Sequence, residues 1–166
     1  MQEYQHIRHD FEPIYNKESK VLILGSFPSV KSRENQFYYG HPQNRFWKLL
    51  AMLTKEEIPE TIEEKKELLL KHHIAIWDVI ASCSIQGSSD TSIKDVEVND
   101  FTEILKKSSV QTIYVNGGKA YQLYHKYAEL MTGIKAIKLA STSPANAAWN
   151  LERLYEDWKQ IEEQIR

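Results

Sequence analysis

The sequence predicts an α/β protein, a three-layer α/β/α arrangement around a central, mainly parallel four-stranded sheet. Three observations lead there. Four short apolar, β-prone segments are spread along the chain. Segments with helical spacing separate them, as crossovers between parallel strands require. Polar stretches bearing Gly or Pro follow three of the four strands, where open α/β sheets place their ligands.

The first strand is Val21-Leu22-Ile23-Leu24, which ends at Gly25; an unbroken apolar run marks a strand covered on both faces. Residues 74–79, 110–115 and 136–139 are the other three. Helices are predicted over residues 45–53, 61–72, 101–106, 119–130 and 150–161. The last carries Leu151, Leu154, Tyr155, Trp158 and Ile161 at i, i+3, i+4, i+7 spacing, with Glu152, Arg153, Glu156 and Lys159 on the other side. No repeat, low-complexity tract or Gly/Ser linker interrupts the pattern, so residues 1–166 read as one domain.

At 166 residues, with 42% hydrophobic and 27% charged residues, the chain can bury a core without covalent staples. Cys83 is the only cysteine, which excludes an intramolecular disulfide and a cysteine-ligated cluster. No apolar run approaches the roughly 20 residues that span a bilayer, and the polar start lacks a signal-peptide core. The expectation is a cytoplasmic, non-membrane protein, monomeric by default. A net charge of −2 argues against strong nonspecific nucleic-acid binding but permits a local DNA-binding face.

Three segments could carry chemistry. Gly25-Ser26-Phe27-Pro28-Ser29 follows the first strand; Gly25 allows a ligand close to the backbone, and the turn's N–H groups can face an anion. Phe37-Tyr38-Tyr39-Gly40-His41-Pro42-Gln43-Asn44-Arg45-Phe46-Trp47 puts aromatic residues on a loop, where ring faces could stack an extrahelical base. Asn44 reads as a helix N-cap that can still face a cleft, whereas Phe46 and Trp47 read as core. Ser141-Thr142-Ser143-Pro144-Ala145-Asn146 offers small hydroxyls and amides suited to phosphates, but taken alone reads more simply as a turn before the last helix. Adjacent His72 and His73 cannot share a metal, and His6, His9 and Asp10 show too few ligands for one.

Taken in this order and spacing, residues 21–29, 37–47, 75–80, 114–121 and 141–148 resemble the uracil-DNA glycosylase superfamily, most closely its hypoxanthine-DNA (deoxyinosine) glycosylases. The resemblance runs from about His9 to Trp158. It implies hydrolysis of an N-glycosidic bond in double-stranded DNA containing a deaminated base, with no metal or cofactor. The base is flipped into a pocket, water attacks the anomeric carbon, and an abasic site remains. It further implies that Gly25, Ser26 and Phe27 line the base-binding turn and that Tyr39 stacks on the base. Ser141, Thr142, Ser143, Pro144 and Asn146 would grip DNA. Many members carry Asn or Asp where Phe27 stands here, so the resemblance assigns Asn44 to position the water or polarise the leaving base.

Two other readings remain open at this point. A uracil or mismatch specialist, or a lesion-binding module without catalysis, would share the fold; the acidic charge and Phe27 favour the module. Ser26 as the nucleophile of a small-molecule hydrolase lacks a His–acid pair in the sequence.

Overall fold

The computed structural model describes residues 3–166. The predicted parallel sheet is present: β2 (Val21–Gly25), β3 (Ile74–Asp78), β6 (Thr112–Asn116) and β7 (Ile137–Leu139) lie in the order β3-β2-β6-β7. All neighbouring pairs are parallel. Because side chains alternate along a strand, β2 divides the core. Val21 and Ile23 face one cluster with Phe46, Leu49, Leu50, Leu69, Leu154 and Trp158, while Leu22 and Leu24 face a second with Phe101, Ile104, Leu123 and Tyr124.

The helices that supply the first cluster are α2 (Phe46–Thr54), α3 (Ile62–Lys71), α7 (Leu151–Trp158) and α8 (Ile161–Gln164). A capping box between Thr61 and Glu64 starts α3, and the Asn150 side chain accepts from Arg153 N–H to start α7. The second cluster is covered by α4 (Thr102–Lys107) and α5 (Gly118–Leu123). Residues 119–130 lie in one continuous helical run, but it is not α-helical throughout. A π-helical turn over Tyr124–Ala128 joins α5 to α6 (Glu129–Thr132), and the Tyr124 hydroxyl donates to the Ile134 carbonyl at 2.5 Å. The predicted final helix likewise breaks after Trp158 before α8 resumes.

The larger departure is a second sheet that hydrophobic periodicity did not reveal. Antiparallel strands β1 (Gln5–Arg8), β4 (Ile80–Ile85) and β5 (Lys94–Val98) pair in the order β1-β4-β5. Register shifts in the β4–β5 pair blur the alternation that would have marked these strands. Only Val79 separates β3 from β4, so the chain passes directly from one sheet to the other. There is also a short helix, α1 (Val30–Asn35), inside the stretch 25–44 that the sequence suggested was loop. Its cap is Ser29, whose hydroxyl oxygen accepts from Ser32 N–H.

Candidate active site

The carboxyl ends of all four parallel strands meet at one place: Gly25 from β2, Asp78 from β3, Asn116 from β6, and the loop after β7. A cavity of about 360 Å³ opens there, within the range of about 300–1,000 Å³ typical of small-ligand pockets. It brings together Gly25, Ser26, Phe27, Tyr39, Asn44, Ser141, Thr142, Ser143 and Pro144. Asn146 lies outside it, in the adjoining groove, where its amide donates to the Ser141 carbonyl at 3.0 Å.

The turn after β2 is built from the backbone. The Gly25 and Ser26 carbonyls accept from Val79 and Ile80 N–H at 2.8 and 3.1 Å. Among the described residues, neither Ser26 N–H nor Phe27 N–H has an acceptor, which leaves two donors for a ligand. Gly25 is required by close approach. A Cβ there would lie 2.5 Å from an Asp78 carboxylate oxygen and 3.0 Å from the Tyr39 hydroxyl.

Asn44 sits one residue before the cap of α2, which begins one position later than predicted. Its Oδ1 nevertheless accepts from Phe46 N–H at 2.9 Å. That bond fixes the carbonyl end of the amide on the helix. The NH2 end has no partner among the described residues and is the part left for the cavity. Asn44 is therefore arranged as a donor toward the cavity.

The aromatic cluster is mostly core rather than exposed loop. Phe37 and Tyr38 are buried with Phe46 and Trp47. Tyr39 keeps contact with the cavity, held at φ 52° with its ring stacked on Phe46 at 3.9 Å between centroids. One ring face is thus occupied, and only the other is open to a ligand. Its hydroxyl is buried and has no hydrogen-bond partner, although the Asn116 amide lies beside it. Burial first, and the nearby Asp78 second, push its pKa far above the ordinary tyrosine value, so it stays neutral.

The loop after β7 corrects one expectation. Thr142 is fully buried and holds the loop instead of facing DNA. Asn116 Nδ2 donates to Thr142 Oγ1, and Thr142 N–H donates to Asn116 Oδ1, both at 3.0 Å. From the other side the Arg45 guanidinium donates to the carbonyls of Thr142, Ser143, Asn146 and Trp149. Ser141, Ser143 and Pro144 remain at the cavity wall. Gly117, at φ 97°, lets β6 turn away beneath Ser141.

Sequence reasoning missed four residues here. Arg45 was read only as the start of a helix. Asn116 lay in a stretch noted for its polarity but was given no role. Asp78 ends β3 on the cavity wall, 4% exposed, with its Oδ2 2.8 Å from His9 Nε2. His9 thus belongs to a buried pair rather than to a free tail. Asp90 reaches the cavity from the β4–β5 connection, where it accepts from the Ser26 hydroxyl at 3.0 Å. A polar residue ending an apolar strand was a signal for Asp78 and Asn116; Asp90 had none. Among the described residues no cluster of three His, Cys, Asp or Glu side chains is arranged to hold a metal ion, and no helix is long and apolar enough to cross a membrane.

Comparison with known proteins agrees with this geometry. Residues 12–163 match the Uracil DNA glycosylase superfamily. A hypoxanthine DNA glycosylase of Methanosarcina acetivorans is 35% identical over 159 residues, covering 93% of this chain and 98% of the relative. One from Methanosarcina barkeri is 34% identical over 142 residues, covering 84% and 88%. The solution NMR structure of a Methanosarcina acetivorans protein assigned as a uracil DNA glycosylase superposes with a TM-score of 0.79 at 32% identity, covering 93% of this chain and 96% of that one. With sequence and fold alike matched over nearly the full length, the chain belongs to the uracil DNA glycosylase superfamily.

Proposed function

We propose that the protein is a monofunctional DNA glycosylase that releases hypoxanthine from deoxyinosine in duplex DNA, acting as a monomer without metal or cofactor. The observation that carries this reading is the pairing of Asp78 with N–H donors in one cavity. A carboxylate only accepts hydrogen bonds. Hypoxanthine presents an N1–H donor beside a carbonyl acceptor, whereas adenine presents a bare N1 beside an amine. Placed at N1, Asp78 accepts from the first and meets only a lone pair on the second, while N–H donors at the carbonyl position would face adenine's amine. Asn44 NH2 and the Ser26 and Phe27 N–H groups serve the carbonyl and the ring nitrogens. Sites built on such bonds reject the mismatched analogue strongly, because buried groups are then left unpaired.

In this reading the nucleotide leaves the stack and its base enters the cavity, one face against Tyr39. Ser141, Ser143, Pro144 and Asn146 meet the backbone around it. As the C1′–N9 bond lengthens, the pair of electrons moves to the base, where the fixed donors lower its energy. Water then adds to C1′ and leaves an abasic site. The relatives named above, at 34–35% identity, support the choice of base. The lactam edge of uracil has the same donor–acceptor order, so the edge contact reads deamination and the depth of the cavity reads ring size.

The test is excision from end-labelled duplexes carrying one deoxyinosine, deoxyuridine or deoxyadenosine, in EDTA, with alkaline cleavage of the products. Release at deoxyinosine and not at deoxyadenosine is expected. Release at deoxyuridine alone would transfer the assignment to a uracil enzyme, and no release by folded protein would leave a binding module.

A further inference from the structure

Two carboxylates reach the cavity, and they occupy different depths. Asp78 is buried against His9 and, in the reading proposed above, is the one that faces the base. Asp90 is exposed as a residue and lines both the cavity and the groove beside it. A nucleotide whose base fills the cavity keeps its sugar at that boundary, because the sugar remains tied to the DNA strand. The residues already assigned place no carboxylate at that boundary. Asn44 is held as a donor by Phe46 N–H, and Phe27 has no polar side-chain atom. Neither can take a proton from water.

Resting on the glycosylase reading above, we propose that Asp90 is the carboxylate that takes the proton from the attacking water and faces the cationic sugar. The step balances simply. As C1′–N9 breaks with its electron pair on the base, a water oxygen bonds to C1′, and its proton passes to an Asp90 oxygen. Asp90 then passes that proton to the purine anion, or returns it to solvent while solvent protonates the base; on either route the carboxylate is restored. A carboxylate beside the sugar also lowers the energy of its oxocarbenium character, as in other glycoside hydrolyses.

The placement of Asp90 is built, not incidental. Ser26 Oγ–H donates to its Oδ1 at 3.0 Å and so orients the carboxyl from the turn that also carries the free N–H groups. Its connection is strapped to α1: Val30 N–H donates to Ser88 Oγ at 2.8 Å, and Arg33 donates to the Gly87 carbonyl at 2.6 Å. Ser92 Oγ–H donates back to the Ser89 carbonyl at 2.7 Å, closing a short 3-10 turn around Asp90. The second sheet and α1, neither legible in the sequence, are what deliver this side chain.

Its surroundings suit a base. Neighbouring protein strips water from the carboxyl and raises its pKa above the ordinary aspartate value, Asp78 raising it further. The Ser26 hydrogen bond and Lys119 on α5 oppose the rise. Lys138 and Asp157 also line the adjoining groove that Asp90 borders. A carboxylate with a raised pKa accepts a proton more readily.

The experiment compares wild-type protein with Asp90→Asn and Asp90→Glu, measuring single-turnover release of hypoxanthine from pH 4.5 to 8. Binding to a duplex with 2′-fluoro-deoxyinosine, which resists cleavage, is measured alongside. The expected result is a loss of about 10²- to 10³-fold in the rate for Asp90→Asn, with binding unchanged or tighter and partial recovery in Asp90→Glu. The wild-type rate should fall on the acid side as Asp90 is protonated, and the Asn variant should lose that limb. An Asp90→Asn rate equal to wild type, or a loss confined to binding, overturns the proposal while the glycosylase stands. Absence of release by the wild-type protein overturns both.

Discussion

Asn116 and Thr142 lock each other through two hydrogen bonds of 3.0 Å, one from the amide nitrogen to Oγ1 and one from the Thr142 backbone to the amide oxygen. The pair joins the end of β6 to the loop after β7, and Thr142 is wholly buried. Thr142→Val keeps the shape and removes the hydroxyl, which leaves the Asn116 amide without its acceptor. A loss of about 1–3 kcal/mol in folding stability is expected, checked by urea denaturation. Ser143→Ala, at the half-buried cavity side of the same loop, removes only the acceptor of the Ala145 N–H; it should cost less stability than Thr142→Val and weaken lesion DNA binding.

Asn44 separates two chemical roles. Because its oxygen is tied to Phe46 N–H, Asn44→Asp keeps that bond and replaces the NH2 donors with a second acceptor. If the donors act on the departing base, both Asn44→Ala and Asn44→Asp should lose about 10²- to 10³-fold in single-turnover rate. An Asp variant as active as wild type would show instead that the oxygen does the work.

Tyr39 tests ring against hydroxyl. The hydroxyl is buried and makes no well-formed hydrogen bond, with the Asn116 amide beside it, so Tyr39→Phe removes a poorly satisfied polar group. Stability should hold or rise slightly, and excision should remain within about threefold of wild type. Tyr39→Leu removes the ring stacked on Phe46 and should slow excision by more than tenfold. Melting temperature and single-turnover rate together distinguish the two.

Gly25 cannot gain even a methyl group cheaply. The new carbon would meet Asp78 Oδ1 and the Tyr39 hydroxyl at once, and Asp78 is held in place by His9. Gly25→Ala should cost about 1–3 kcal/mol in stability and should reduce excision through displacement of Asp78. Calorimetry and activity assays on the same preparation check both.

The parallel sheet was legible because its strands are apolar on both faces, and such runs leave few other readings. Val21 to Leu24 sit at 0% exposure, which is what an unbroken Val-Leu-Ile-Leu requires. The antiparallel sheet was not legible for the opposite reason. β1 is Gln-His-Ile-Arg and mostly exposed, and β4 mixes Ser, Ala and Cys with a bulged register. Their pairing is a tertiary outcome, with no period to announce it. The candidate site divides along the same line. Gly25, Ser26, Phe27, Tyr39 and Asn44 lie on segments whose local chemistry is unusual, and the structure gathers them into one cavity. Asp90 depends on the hidden sheet. Arg45 looked like the first residue of a helix, and its reach of nearly a hundred positions to the Ser143 carbonyl leaves no trace in spacing. Thr142 was misread because a hydroxyl in a loop looks solvent-facing until Asn116 is placed beside it.

The loop from Ser141 to Trp149 contains no ionisable side chain, and Arg45 is turned inward onto its carbonyls. A cation that neutralises a phosphate releases condensed counterions, and each such contact steepens the salt dependence of affinity by about 0.9 in logarithmic slope. Hydroxyls and amides release almost none. Contacts made through this loop would therefore survive in concentrated salt, and what salt dependence the enzyme shows must come from lysines and arginines outside it.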